Sequence, residues 1–296
     1  MADDATPLRG IWAAVLTPIG ADLQPDAPKA IAYYRELLER GCGGINLLGT
    51  TGEAMSFSTT QRLGLMESVA RSGLPMRRAM VGTGAASLDD AARLTASALD
   101  FGFAAVLVMP PFFFPDPGDD GVRRFFEALF ARVPAARGRV LLYNFPLMSG
   151  ITFHPDLVDR LVAEYPGVIV GLKDSSNDRD LQREIIARHP QFAVFSGSEE
   201  YLLDAVDDGA AGCISGSVAL WPELARSVYR DMGRRKAAQL AERRRALAGL
   251  PFVAAVRHCV AQASGDDGWE RSMPPLAPLT PAQRVQLERR MEVPKR

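Results

Sequence analysis

Short apolar runs rich in β-branched residues recur eight times along the first three quarters of this chain, each followed by an amphipathic stretch. They lie at 11–16 (IWAAVL), 44–48 (GINLL), 78–82 (RAMVG), 104–109 (AAVLVM), 139–143 (RVLLY), 168–172 (VIVGL), 192–196 (FAVFS) and 211–215 (AGCIS). Near-continuous apolarity, rather than alternation, is the mark of parallel strands buried on both faces. The stretches between them carry helix punctuation. Ser58 with Gln61 and Ser87 with Asp90 have capping-box spacing, and Gly41, Gly73, Gly102 and Gly209 stand where C′ glycines stop a helix. The repeating unit is therefore βα. Eight units with no strand-only block predict an α/β fold of the closed (β/α)8 (TIM barrel) type, which takes about 250 residues. An open doubly wound sheet is the runner-up, and its six or so strands would leave units over. From Trp221 onward the chain reads as helix only, at 222–232, 234–248, 251–263 and 281–290, punctuated by Pro222, Pro251 and a PPLAP stretch. The expected division is a barrel over 1–220 and a C-terminal helical extension over 221–296.

Composition narrows the partners. With 47% hydrophobic and 23% charged residues the 296-residue chain is of ordinary globular type. Its 34 basic and 35 acidic residues leave no basic face to neutralise a phosphate backbone, which argues against nucleic acid. No run approaches the roughly 18 apolar residues of a membrane span, and the first residues, MADDATPLRG, lack a basic stretch before an apolar one. A cytoplasmic protein is expected. Cys42, Cys213 and Cys259 form no CxxC pair, and His154, His189 and His258 stand alone, so no metal or redox site is expected.

In such a barrel the chemistry sits at the C-terminal ends of the strands. The segments that end or succeed the eight runs are Thr17-Pro18, Gly49-Thr50-Thr51-Gly52-Glu53, Thr83, Pro110-Pro111-Phe112-Phe113-Phe114, Tyr143-Asn144, Lys173-Asp174-Ser175, Ser196-Gly197-Ser198-Glu199 and Ser215-Gly216-Ser217. Only four of the 34 basic residues are lysine, and Lys29, Lys236 and Lys295 lie in polar, helical or terminal contexts. Lys173 instead ends the apolar run VIVGL. Burial penalises an ammonium and favours the neutral amine, a form closed to arginine, and a neutral amine adds to a ketone to give a Schiff base. The alternative for Lys173 is an ion pair with Asp174 or a glutamate at the mouth. Tyr143, at the end of the neighbouring strand, is placed to move a proton beside such an imine if polarising partners are near. The GTTGE turn offers backbone N–H groups and two hydroxyls suited to a carboxylate.

Together, GTTGE at 49–53, YNFP at 143–146 and GLKDSS at 171–176, on eight βα units with a helical tail, resemble the dihydrodipicolinate synthase and N-acetylneuraminate lyase family over nearly the whole chain. The resemblance implies a class I, Schiff-base aldolase or lyase acting with pyruvate and an aldehyde, needing no metal or organic cofactor, and forming a homo-oligomer built as a dimer of dimers. It makes Lys173 the imine-forming residue and Tyr143 the proton shuttle. Thr50 and Thr51 would hold the carboxylate of pyruvate, and Gly197 and Ile214 would line its pocket.

Two departures bear on substrate. Dihydrodipicolinate synthases carry an arginine in the motif after the tyrosine, where YNFPLMSG places Met148. They also lend a second tyrosine across an interface from a PYY segment, where PFFFP places Phe113. YNFPLMSG and the 197–200 segment look closer to the sialic acid lyases and 2-keto-3-deoxy sugar acid aldolases, in which polar residues after strands six to eight bind substrate hydroxyls. Ser175, Glu199, Glu200 and Ser217 are the candidates, although helix capping is an equal reading for Ser198 and Glu200. The expected reaction is reversible cleavage of a 2-keto-3-deoxy (sugar) acid to pyruvate and an aldehyde, and a dehydratase using the same imine is equally compatible. The first alternative is dihydrodipicolinate synthase proper, with Arg123 or Arg179 replacing the missing arginine. The second is a keto-acid-binding protein without turnover.

Overall fold

The structure, a computed structural model, describes residues 8–114, 116–136 and 139–291; Lys295 lies outside them. The eight runs form the strands β1 (Gly10–Ala14), β2 (Gly44–Leu47), β3 (Ala79–Gly82), β4 (Ala105–Val108), β5 (Val140–Asn144), β6 (Ile169–Asp174), β7 (Ala193–Ser196) and β8 (Gly212–Ser215). All neighbours pair in parallel and β8 pairs back onto β1, with Trp12 opposite Ile214, so the sheet closes into a barrel and the open alternative is excluded. Closure is tight at this seam. Gly212 has φ +145°, and a Cβ there would stand 1.9 Å from the carbonyl oxygen of Gly10.

Period-two alternation sorts the strand residues into two apolar layers. Trp12, Ala14, Met80, Leu107, Leu141, Tyr143, Phe195 and Ile214 point inward and fill the barrel. Ile11, Ile45, Leu47, Val106, Leu142, Val194 and Cys213 point outward under the helices. Each large side chain so buried contributes about 1.5–3 kcal/mol of transfer free energy.

The covering helices are α1 (Ala27–Glu39), α2 (Thr59–Ala70), α3 (Leu88–Asp100) and α4 (Gly118–Arg132), then the single turn α5 (Pro146–Ser149), α6 (Pro155–Glu164), α7 (Arg179–Arg188), α8 (Leu202–Asp207) and α9 (Pro222–Asp231). Ser58 and Gln61 make the reciprocal capping box of α2. Ser87 caps α3 through the Asp90 amide, with Asp89 and Asp90 in the first turn, where the helix dipole favours negative charge. Gly41, Gly102 and Gly209 follow the C-caps with positive φ, and Gly73 comes one residue later. Helix α9 packs on β1. Beyond it, α10 (Arg234–Arg245), α11 (Phe252–Ser264) and α12 (Pro281–Met291) make up the C-terminal part. No helix of the described residues is long and apolar enough to cross a membrane.

Candidate active site

Strand β6 runs two residues past the apolar stretch visible in the sequence, so Lys173 and Asp174 remain in the ladder, opposite Tyr143 and Asn144 of β5. Alternation then sends the two charges opposite ways. Lys173 points into the barrel at 4% exposure, its Nζ 4.3 Å from the centroid of the Tyr143 ring. Tyr143, also buried, places its hydroxyl 3.1 Å from Thr50 Oγ1. An amine, a phenol and a hydroxyl thus converge from β6, β5 and the turn after β2.

Asp174 turns outward and does not pair with that lysine. Its Oδ1 accepts from Asn144 Nδ2 at 2.7 Å and from the Ser176 amide at 3.1 Å. Asn144 Oδ1 in turn accepts from the Phe153 amide at 2.9 Å. Burial raises the Asp174 carboxyl above its ordinary 3.8, and the hydrogen bonds from Ser176 and Asn144 oppose that rise. Among the described residues Lys173 forms no ion pair, so the counter-ion expectation is not met.

The turn after β2 is folded on itself. The Glu53 amide donates to Thr50 O at 3.1 Å and the Ala54 amide to Gly49 O at 3.3 Å. The amides of Thr50, Thr51 and Gly52 have no acceptor among the described residues. Free donors beside two hydroxyls are of the type suited to an anion.

Other residues singled out in the sequence fall into distinct places. Ile214 is fully buried in the inner layer with Tyr143. The Gly197 amide donates to Asp174 O at 2.6 Å, fixing the loop after β7 against β6. Ser175 is half-buried, its amide held by Asn144 O at 2.7 Å. Ser217 is buried, with its hydroxyl 3.5 Å from that of Ser215. Ser198 caps the turn after β7 through the Glu200 amide, and Glu200 pairs with Arg245 at 3.2 Å. Glu199, 1% exposed, keeps both carboxylate oxygens buried and without a hydrogen-bond partner among the described residues.

Phe113 is not brought to this group. It is 74% exposed and packs edge-on against Phe114, and only Phe112 leans on the inner layer. Met148 is 49% exposed. Both alternative arginines are engaged with carboxylates. Arg123 pairs with Asp120, Glu127 and Glu164, and Arg179 with Asp204 and Asp208.

A buried ion pair went unread in the sequence. Arg257, on α11, is fully buried and forms an ion pair with Glu53, the last residue of the GTTGE turn. The signal was a lone arginine at the centre of the apolar helix FVAAVRHCV. The remaining titratable candidates are structural: burial pushes the Cys42 thiol up to about 12 and Cys259 to about 11, away from reactive thiolate character. His154, His189 and His258 each pair with a carboxylate, and no group of three or more His, Cys, Asp or Glu suited to a metal ion occurs among the described residues.

A family model described as the dihydrodipicolinate synthetase family matches residues 7–293. The chain belongs to this family. Among curated relatives it is 38% identical to an uncharacterized DapA-like lyase of Chloroflexus aurantiacus, over 75% of this chain and 74% of that one. It is 30% identical to an N-acetylneuraminate lyase of Escherichia coli, over 71% of this chain and 69% of the relative. The crystal structure of dihydrodipicolinate synthase from Agrobacterium tumefaciens superposes with a TM-score of 0.91 at 30% identity, covering 97% of this chain and 99% of that one. The family thus includes both lyases and synthases around one architecture.

Proposed function

We propose that this family member is a lyase that reversibly cleaves a 2-keto-3-deoxy (sugar) acid to pyruvate and an aldehyde through an imine on Lys173. The observation that carries the reading is the buried Lys173 amine, without a counter-ion among the described residues, against the Tyr143 ring, with the phenol joined to Thr50. The substrate carboxylate would lie on the free amides and hydroxyls of Thr50 and Thr51, with Gly197 and Ile214 walling the keto-acid end.

In the forward direction the Lys173 amine adds to the C2 carbonyl, and Tyr143 gives its phenolic proton to the departing hydroxyl, so that water leaves behind a protonated imine and a Tyr143 phenolate. The C3–C4 bond breaks as the Tyr143 phenolate takes the proton of the C4 hydroxyl. The aldehyde departs, and the electron pair of the broken bond moves through C2 to the imine nitrogen, giving an enamine. Tyr143 returns the proton to C3, which restores the protonated imine and the phenolate; water then adds to C2, the phenolate takes back a proton, and pyruvate and the neutral amine are freed. No metal or organic cofactor takes part.

The unpartnered oxygens of Glu199 support a hydroxylated substrate, since a buried acceptor with no donor is costly and a hydroxyl would supply one. Ser175, Ser217 and Glu200 are the further candidates on that side. Arg123 and Arg179, the two alternatives for the arginine whose place Met148 takes, are both paired with other carboxylates, which disfavours condensation with aspartate semialdehyde.

The exposed Phe113 and Phe114 on the loop after β4, with Leu147 and Met148 of α5, support assembly into a homo-oligomer, with Phe113 then acting from an interface. The same reading takes the protein as cytoplasmic and divides it into a barrel over 1–220 and a helical part over 221–296. Incubation with N-acetylneuraminate and with 2-keto-3-deoxy aldonic acids should release pyruvate. Turnover of pyruvate with aspartate semialdehyde alone, and none of the sugar acids, would contradict the assignment.

A further inference from the structure

Glu53 sits at φ +56° at the end of the turn that carries Thr50 and Thr51, and both its carboxylate oxygens are engaged from the C-terminal part. Oε1 accepts from Arg257 Nε at 2.6 Å, and Oε2 accepts from the Met273 amide at 2.8 Å. The rest of the guanidinium is spent on carbonyls: Nη2 donates to Thr17 O at 2.8 Å and Nη1 to Trp269 O at 3.2 Å. Thr17 closes the circuit, its hydroxyl donating to Gly52 O at 2.8 Å. The end of β1, the GTTGE turn and helix α11 therefore form one buried ring of hydrogen bonds. The side chains of Arg257 and Glu53 are 1% and 0% exposed.

Helix α11 also reaches the turn by packing. A Cβ on Gly216 would fall 2.7 Å from Thr51 Oγ1 and 2.9 Å from the ring of Phe252, so the glycine lets Thr51 and the start of α11 close up on the end of β8. A left-handed glutamate is an uncommon backbone state, held here by the ring around it rather than by its own preference.

We propose that the Arg257–Glu53 pair is a positioning device, through which the C-terminal helices hold the Thr50–Thr51 turn in the conformation that receives the keto-acid carboxylate. This rests on the assignment of that turn to the carboxylate. Neither residue touches the reacting atoms. Their effect passes through the turn, and so it bears on keto-acid capture before it bears on proton transfer.

The test compares wild type with Glu53→Gln, Arg257→Met and Arg257→Lys, after checking for a cooperative unfolding transition. Two quantities are read: the pyruvate concentration giving half-maximal borohydride-trapped adduct, and amide hydrogen exchange across 49–57. Misplaced hydrogen bonds to a charged carboxylate cost on the order of ten- to hundredfold in affinity, so Glu53→Gln and Arg257→Met should raise half-saturating pyruvate by about that factor, with Arg257→Lys restoring part of it. Exchange across 49–57 should rise while the barrel strands keep wild-type protection. Half-saturation within twofold of wild type, or unchanged exchange, would overturn the proposal, as would loss of the cooperative transition in every variant, which would make the pair a requirement of the fold. If wild type itself traps no pyruvate, the imine reading fails, and the exchange measurement alone decides the positioning role.

Discussion

Successive residues of a strand face opposite ways, and β6 uses this to separate the lysine side chain from the carboxyl group beside it. Lys173 enters the barrel toward Tyr143, and Asp174 leaves it toward Asn144 and Ser176. Because burial raises the Asp174 carboxyl, the native state holds a proton there at pH values where the unfolded chain has released it. Relative to Asp174→Asn, wild-type stability should therefore increase as pH falls from neutral through the raised value, levelling off below the ordinary 3.8. Paired urea titrations across that range check this, and a flat or reversed difference would count against it. For Tyr143→Phe, adduct formation with pyruvate should survive while kcat falls by about 10²–10⁴-fold, because the variant keeps the ring over Lys173 and loses only the proton carrier. Lys173, Tyr143 and Thr50 were legible in the sequence because each ends an apolar run, and strand ends share one mouth. Glu53 and Arg257 were not, since they stand 204 residues apart and nothing local in either segment names its partner.

At the scale of elements, periodicity and capping chemistry carried most of the assignment. All eight strands fall on their apolar runs, and Ser58 and Ser87 cap the helices their spacing announced. The misses have physical causes. Strand β6 continues through two charged residues because its neighbours β5 and β7 still offer partners there, which hydropathy does not register. Helix α10 stops at Arg245, short of the expected 248, and gives way to turns before Gly249, which has positive φ. Two substitutions test the elements. Ser58→Ala removes the α2 capping box and should cost about 0.5–2 kcal/mol in urea unfolding, with activity unchanged. Gly212→Ala forces a Cβ into the carbonyl of Gly10 at the β8–β1 seam, and should prevent closure and leave the protein insoluble; a soluble variant of wild-type stability would contradict the seam geometry.

The whole molecule is a barrel whose strands and covering helices follow one repeat, tied to a helical part by a buried charge pair. Removing one partner of such a pair costs about 3–5 kcal/mol, so Arg257→Met should lower unfolding stability by that order in urea titration while keeping a cooperative transition. What the sequence could not supply at this scale was the linkage of the two parts, which exists only after both have folded. The proposed chemistry rests first on Lys173. Intact-protein mass spectrometry after pyruvate and sodium borohydride, beside Lys173→Ala and Lys173→Arg, tests it most directly. One reduced pyruvyl adduct on wild type and none on either variant is the predicted result. An unmodified wild type, or an adduct that persists in both variants, would contradict the imine at Lys173 and with it the lyase mechanism.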